Sequence, residues 1–242
     1  MKDFLSYPRS FLMVLLYPPI LLSFSFYGIL QNILFNSRKL DNRVIKTWCQ
    51  LTCWMFGVRV EVKGKENIPQ DQGAVLLFNH TSFFDIFSLH SVVSNLRFGA
   101  KIELFNIPLF GTAMRRTGVL PIARSRLEEV IKVYQDAEIR IRNGEKFALA
   151  PEGTRQDTEE LGPFKSGPFI FAINAHAPII PVIIRGAHEV LDNHSFIPNL
   201  GRWHRTITLE FLPAVSTDSY SVEQRSELQK KIYELMKNAL SQ

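Results

Sequence analysis

The segment Asn79-His80-Thr81-Ser82-Phe83-Phe84-Asp85 puts a base and a carboxylate at the exit of the apolar run Ala74 to Phe78. An imidazole can take a proton near neutral pH, and a carboxylate on its second ring nitrogen fixes the tautomer and stabilises the imidazolium. Asp85 is the nearest candidate for that partner. A spacing of five exceeds the three or four that make helix neighbours, so the pair requires His80 in a loop and Asp85 in a first helical turn. The same letters also carry a structural reading. Ser82-Phe83-Phe84-Asp85 is a capping-box-like pattern, in which Asp85 only satisfies orphan amides at a helix start. A His-x4-Asp string alone does not choose between the two.

Further chemistry-bearing residues lie downstream. Lys146 to Ala150 reads as a strand that stops at Pro151 and exposes Glu152, Gly153 and Arg155 in a tight turn. Arg155 offers a planar fork suited to phosphate oxygens, and Lys101 offers a point charge. Arg124 ends the short strand from Gly118, and Lys165 precedes Gly167. Each of these cations also has a bland reading as a solvated surface residue. Gly153 allows close backbone approach, and Glu152 either accepts hydroxyl hydrogen bonds or serves as a core or salt-bridge residue. His90, His176, His188, His194 and His204 show no spacing with carboxylates that suggests a metal site.

The chain that must position these groups has 242 residues, 46% of them hydrophobic, which suffices for one substantial core and argues against disorder. A formal charge of +5 favours anionic partners, whether nucleic acid, lipid headgroups or phosphorylated small molecules. Cys49 and Cys53 stand one helical turn apart between Trp48 and Trp54, a core-packing arrangement rather than a disulfide framework or a four-ligand metal site. This usage points to a reducing, cytoplasmic compartment for the bulk of the chain. From Ser10 to Ser37 there is no charged residue, so this stretch belongs in or against a membrane. Pro18-Pro19 divide it into a short first piece and a second, Ile20 to Phe35, which is shorter than a straight span usually needs. A kinked span and a shallow anchor both remain open. Arg38, Lys39, Arg43 and Lys46 outnumber Lys2 and Arg9, so the positive-inside rule puts the C-terminal side in the cytoplasm. The expected location is the cell membrane, an inner membrane, with the catalytic domain on its cytoplasmic face. The apolar run continues past Ser23-Phe24-Ser25, which argues for a retained anchor rather than a cleaved signal.

Asp41 to Gly57 repeats Val44, Ile45, Trp48, Leu51, Thr52, Met55 and Phe56 at helical spacing, a pattern that suits a membrane interface or an ordinary core-facing helix, the neighbouring anchor favouring the interface. A strand is expected at Val58 to Val62 and a fully apolar one at Gly73 to Phe78, with a helix running from Asp85 toward Val93. Ser125-x-x-Glu128 caps a helix that ends at Gly144. Another apolar helix opens near Gly167. Ile179 to Ile184 reads as a buried strand, Thr206 to Leu212 as an alternating one, and Val222 to Leu240 as a closing amphipathic helix. Strands alternating with helices predict an α/β fold: a mixed, largely parallel sheet flanked by helices, carrying an N-terminal membrane-associated helical pair. The expected division is an anchor and interfacial helix over 1–57 and an α/β domain over 58–242.

Four ordered blocks resemble the glycerolipid acyltransferase superfamily, most closely its 1-acyl-sn-glycerol-3-phosphate acyltransferases: Asn79-His80-x4-Asp85, the stretch from Lys101 to Arg124, Pro151-Glu152-Gly153-Thr154-Arg155, and the proline-containing strand Ile179 to Ile184. Ala150 stands where the family usually has Phe, and Gln156 where Ser is common. The resemblance implies His80 as general base and Asp85 as its orienting partner. It implies Lys101 and Arg155 as phosphate ligands; beside them Arg124 and Lys165 are candidate second contributors, and Glu152, Gly153 and Thr154 are expected to shape the glycerol pocket. It implies lysophosphatidic acid as acceptor, with acyl-CoA or acyl carrier protein bringing the acyl group, at a membrane lipid surface. No metal or cofactor is expected, because an acyl thioester is already activated and a hydroxyl can attack it directly. The chain has no Gly-x-Ser-x-Gly elbow, so a covalent acyl-enzyme is not expected. Glycerol 3-phosphate or another lysolipid is the nearest alternative acceptor, and a non-catalytic lipid-binding module the alternative outside enzymes. Nucleic-acid binding would rest on charge alone and leaves the apolar N-terminus unexplained.

Overall fold

The computed structural model describes residues 6–122, 127–158, 160–195, 197–199 and 202–241, with only the backbone of 127–131. In chain order its regular elements are α1 (Ser6–Phe35), α2 (Arg38–Met55), β1 (Val58–Lys63), β2 (Ala74–Phe78), α3 (Phe84–Val92), β3 (Leu96–Lys101), α4 (Phe110–Thr117), β4 (Leu120–Ile122), α5 (Leu127–Arg142), β5 (Lys146–Leu149), α6 (Gly167–Asn174), β6 (Ile179–Arg185), β7 (Arg205–Phe211) and α7 (Arg225–Leu240). The seven strands form one sheet in the order β1-β7-β6-β2-β5-β3-β4. Every neighbouring pair is parallel except β6 and β7. This is the α/β, largely parallel sheet expected from the alternation of elements.

The central strand β2 is buried at all five positions, which its unbroken apolar run requires when helices cover both faces. Leu76 and Phe78 face a core shared with α2 and α3, whereas Val75 and Leu77 face one shared with α5, α6 and α7. Two elements lack a sequence signal. In β3, Arg97 and Gly99 interrupt the apolar pattern. Helix α4 is too short for a periodic stripe and follows Pro108. Ser125 and Arg124 lie outside the described residues, so the expected cap of α5 does too.

Helix α1 runs unbroken through Pro18 and Pro19. The expected division at the prolines does not occur. Its sidedness is inverted relative to a soluble helix: Ser10, Ser25, Gly28, Gln31 and Asn32 are buried, whereas Phe11, Leu15, Phe26 and Leu34 are exposed. By length and composition it can cross a membrane. It nevertheless lies along the body, with Met13, Tyr17 and Ile20 packed on the core and Arg9 stacked 3.6 Å over the Trp203 ring.

The apolar face of α2 turns inward, against expectation. Trp48 packs edge-on against Phe87 and Phe110, and Cys49 and Cys53 are buried as free thiols. Burial pushes the Cys53 thiol up to about 12 and Cys49 well above its usual range, so both are inert. The outward stripe is Arg43, Thr47, Gln50 and Trp54. A neighbouring body that already supplies an apolar partner takes the face that a membrane would otherwise cover.

A buried polar network fastens this helical pair to the sheet. Asp41, fully buried, accepts hydrogen bonds from Gln31 and Asn32 of α1. Arg97, 1% exposed, donates to Asn42 Oδ1 at 2.7 Å, and its Nη2 lies 3.8 Å from Glu145. Glu145 also takes Arg140 at 2.6 Å and Arg38 at 3.7 Å. Burial lowers Arg97 to about 10, partly offset by Glu145.

Candidate active site

The end of β2 delivers the loop that carries His80. Asn79 anchors it to β6: its Nδ2 donates to the Ile184 carbonyl at 2.9 Å, and its Oδ1 accepts the Ile184 N–H at 2.8 Å. Helix α3 then begins, and its first turn places Asp85 Oδ2 2.8 Å from His80 Nδ1. Asp85 is 0% exposed. The same oxygen accepts the N–H groups of Thr81 and Ser82, each at 2.9 Å, while Ser82 Oγ accepts the Phe84 N–H at 3.2 Å. The contacts of both readings are therefore present, since one carboxylate oxygen accepts amides at the helix start and lies against the imidazole. With Nδ1–H directed at the carboxylate, Nε2 carries the ring's lone pair.

The turn after β5 holds the backbone of His80 from the other side. Glu152, 3% exposed, accepts the His80 N–H through Oε2 and the Gly162 N–H through Oε1, both at 3.0 Å. The Gln156 N–H donates to the His80 carbonyl at 2.7 Å. Burial raises Glu152 to about 7, against the lowering effect of the two amides, and the charge of Asp85 adds to the rise. Glu152 thus takes the core role left open for it and reaches the site through the backbone of His80. Gly153 has φ +76°, and a Cβ there would meet only the flexible Lys165 side chain, Cγ at 3.5 Å and Cε at 3.9 Å, so its conformation rather than its space calls for glycine.

His80 opens onto a cavity of about 450 Å³ whose wall includes Gly99, Lys101, Ala150, Gly153 and Lys165. Lys101 ends β3 and Lys165 lies in the segment between β5 and α6, both beyond the C-terminal ends of neighbouring strands, the place where parallel α/β sheets present binding residues. Arg155 is not at this wall; its guanidinium lies 4.2 Å over the Phe83 ring. Thr154 is exposed and Arg124 falls outside the described residues. A second, apolar cavity of about 220 Å³ adjoins the first, sharing Ile86, Phe98 and Ala100 with it, and is lined by residues of α1, α2, α3 and α4. Neither α4 nor the bridging roles of Asn79 and Gly162 could be read from sequence. Asn79 was visible only as a motif letter, and an amide donor such as Gly162 leaves no trace in residue type.

The fold and this pocket define a recognisable class. The Acyltransferase family model matches residues 59–185, more than half of the chain, and the chain belongs to that family. Over 159 residues it is 31% identical to the chloroplastic 1-acyl-sn-glycerol-3-phosphate acyltransferase BAT2 of Brassica napus, a match covering 65% of this chain and 46% of that protein. It is 31% identical over 144 residues to a 1-acyl-sn-glycerol-3-phosphate acyltransferase of Pseudomonas aeruginosa, covering 57% and 56%. With the Saccharomyces cerevisiae enzyme of that name, identity is 28% over 250 residues, covering 99% and 78%. The chain spans about half the length of the plant and Pseudomonas relatives. The crystal structure of the 1-acyl-sn-glycerophosphate acyltransferase PlsC from Thermotoga maritima has the same fold, with a TM-score of 0.80 over 100% of this chain and 97% of that one at 22% identity.

Proposed function

We propose that this chain transfers an acyl group from an acyl thioester to the sn-2 hydroxyl of a 1-acyl-glycerol 3-phosphate, forming phosphatidic acid. The observation that carries the reading is the His80–Asp85 contact of 2.8 Å beside a cavity flanked by two lysines. His80 Nε2 takes the hydroxyl proton as the oxygen attacks the thioester carbon. The tetrahedral intermediate then collapses, and the imidazolium returns the proton to the departing thiolate. Asp85 holds the ring and stabilises its charged form. Such a base supplies about 10²–10⁴ in rate, and positioning must supply much of the remainder. No metal or cofactor is part of this scheme, because the thioester is activated before it arrives.

Lys101 and Lys165 are proposed to hold the phosphate, Gly153 to let it approach the backbone, and Arg124, Thr154 and Arg155 to complete the headgroup site, Arg155 by swinging from the Phe83 ring. The adjoining apolar cavity suits an acyl chain. The exposed leucines and phenylalanines of α1 suit lipid, and because α1 lies along the body we propose that it is embedded flat in one leaflet. The basic residues from Arg38 to Lys46 favour the cytoplasmic leaflet of the cell membrane.

The test offers labelled lysophosphatidic acid and glycerol 3-phosphate separately to membranes containing the protein, each with acyl-CoA and acyl-carrier-protein donors. Phosphatidic acid from the lysolipid supports the reading and identifies the donor. Product from glycerol 3-phosphate alone moves the assignment to that acceptor, and no product beside an active control moves it to lipid binding.

A further inference from the structure

The apolar cavity holds one polar group that the reaction scheme leaves without a task. Its wall comes from Leu21 and Phe24 of α1, Val44 of α2, Phe87 of α3 and Met114 of α4, and His90 is part of it. His90 is 8% exposed and sits in the last turn of α3. Its ring lies 4.8 Å from that of Phe98, and neither ring nitrogen has a hydrogen-bond partner among the described residues. The hydroxyls in the same wall are already engaged: Ser25 Oγ donates to the Leu21 carbonyl at 2.7 Å and Thr117 Oγ1 to the Ala113 carbonyl at 2.8 Å. The Trp48 indole nitrogen is enclosed and not presented to the cavity. With their protons used, these hydroxyls can only accept, so His90 is the wall's polar side chain that offers both a donor and an acceptor.

Burial, reinforced by the nearby charge of Arg97, lowers His90 to about 3, so its ring is neutral at physiological pH. A neutral imidazole presents one donor and one acceptor. A hydroxyl group has the same pair and can satisfy both in a single contact, whereas a methylene satisfies neither. A polar group in a binding wall penalises a ligand that leaves it unmatched.

We propose that, in the apolar cavity given above to the acyl chain, His90 selects chains bearing a hydroxyl group along their length. This rests on the acyl-transfer reading above, since it gives the chain of that reaction its place and its preferred chemistry. Ile86, Phe98 and Ala100 line both cavities, so a chain attached at the His80 site can pass this shared wall into the pocket that His90 faces.

The experiment is a competition between acyl thioesters of equal length, one unsubstituted and the others carrying a single hydroxyl moved along the chain. The ratio of the two products is read within each preparation, so a loss of total activity cancels. For the wild type the ratio peaks at one hydroxyl position, with a preference of about threefold to tenfold, the factor one neutral hydrogen bond supplies. His90→Leu abolishes the peak, and His90→Gln, which keeps a donor and an acceptor, restores part of it. A flat ratio in the wild type, or a peak that survives in His90→Leu, overturns the proposal. Absence of transfer even from the unsubstituted donor overturns the acyl-transfer reading itself, a result distinct from a flat ratio.

Discussion

The backbone N–H of His80 donates to Glu152 Oε2 at 3.0 Å, so a carboxylate 72 positions downstream holds the residue that bears the proposed base. Asp85 holds its ring and Glu152 its backbone. The turn after β5 and the loop after β2 thus form one unit, and disturbing either carboxylate moves the imidazole by a different route.

Glu152 makes stability depend on pH. Its carboxyl is raised from 4.5 to about 7 in the folded protein, so the folded state binds more protons than the unfolded state between these values. Its contribution is full below 4.5 and is lost as pH rises to about 7, which amounts to about 3 kcal/mol at most. The Tm of wild type minus that of Glu152→Gln should therefore decline from pH 4.5 to 7 and level off above it. A difference that stays flat across this window would sink the assignment.

Asp85→Asn keeps the shape but presents an amide to His80 Nδ1. The Thr81 and Ser82 N–H groups hold the amide oxygen where Oδ2 stood, so Nδ1–H keeps an acceptor but the imidazolium loses the negative charge that stabilises it. On the proposed reaction kcat falls by about 10² or more while the fold persists. Turnover within tenfold of wild type in a steady-state assay contradicts this role.

Lys101 and Lys165 flank the cavity as separate point charges. Lys101→Gln and Lys165→Gln should each raise the KM for lysophosphatidic acid by about tenfold or more, with a smaller change in kcat, because the phosphate remains bound in ground and transition states alike. Raising the salt concentration should shrink each effect. Kinetics at two ionic strengths check both points; an unchanged KM removes that lysine from the headgroup site.

Glu145 neutralises a crowd of guanidinium groups under the helical pair. Glu145→Ala leaves Arg97 buried without its carboxylate and should cost about 3–5 kcal/mol. Denaturant unfolding in detergent measures this, and a loss below about 0.5 kcal/mol would mean that water reaches the cluster.

The legible parts of the fold were those whose residue types have a single use. The unbroken apolar runs of β2 and β6 fit only buried strands, and the positions Leu228, Ile232, Met236 and Ala239 fit only a helix with one buried face. Strand β3 was hidden because Arg97 is buried through partners on α2 and before β5, contacts no local pattern encodes. Helix α1 read as divided because two prolines interrupt an ordinary helix, yet it continues through both with its inward face against the body. At the site, the spacing of His80 and Asp85 was legible, but the choice between cap and orienting partner was not, because one oxygen serves both. Lys165 stood out less than Arg155 in sequence, and the order reverses in space, since the stacking of Arg155 on Phe83 is visible only after folding.

The central claim is that the imidazole of His80 is the base. Its most direct test is the turnover of His80→Ala with lysophosphatidic acid and an acyl thioester, measured beside its Tm and its membrane fraction. The kcat should fall by about 10² or more in a protein that stays folded and membrane-bound. Near-normal turnover by a folded His80→Ala would contradict it.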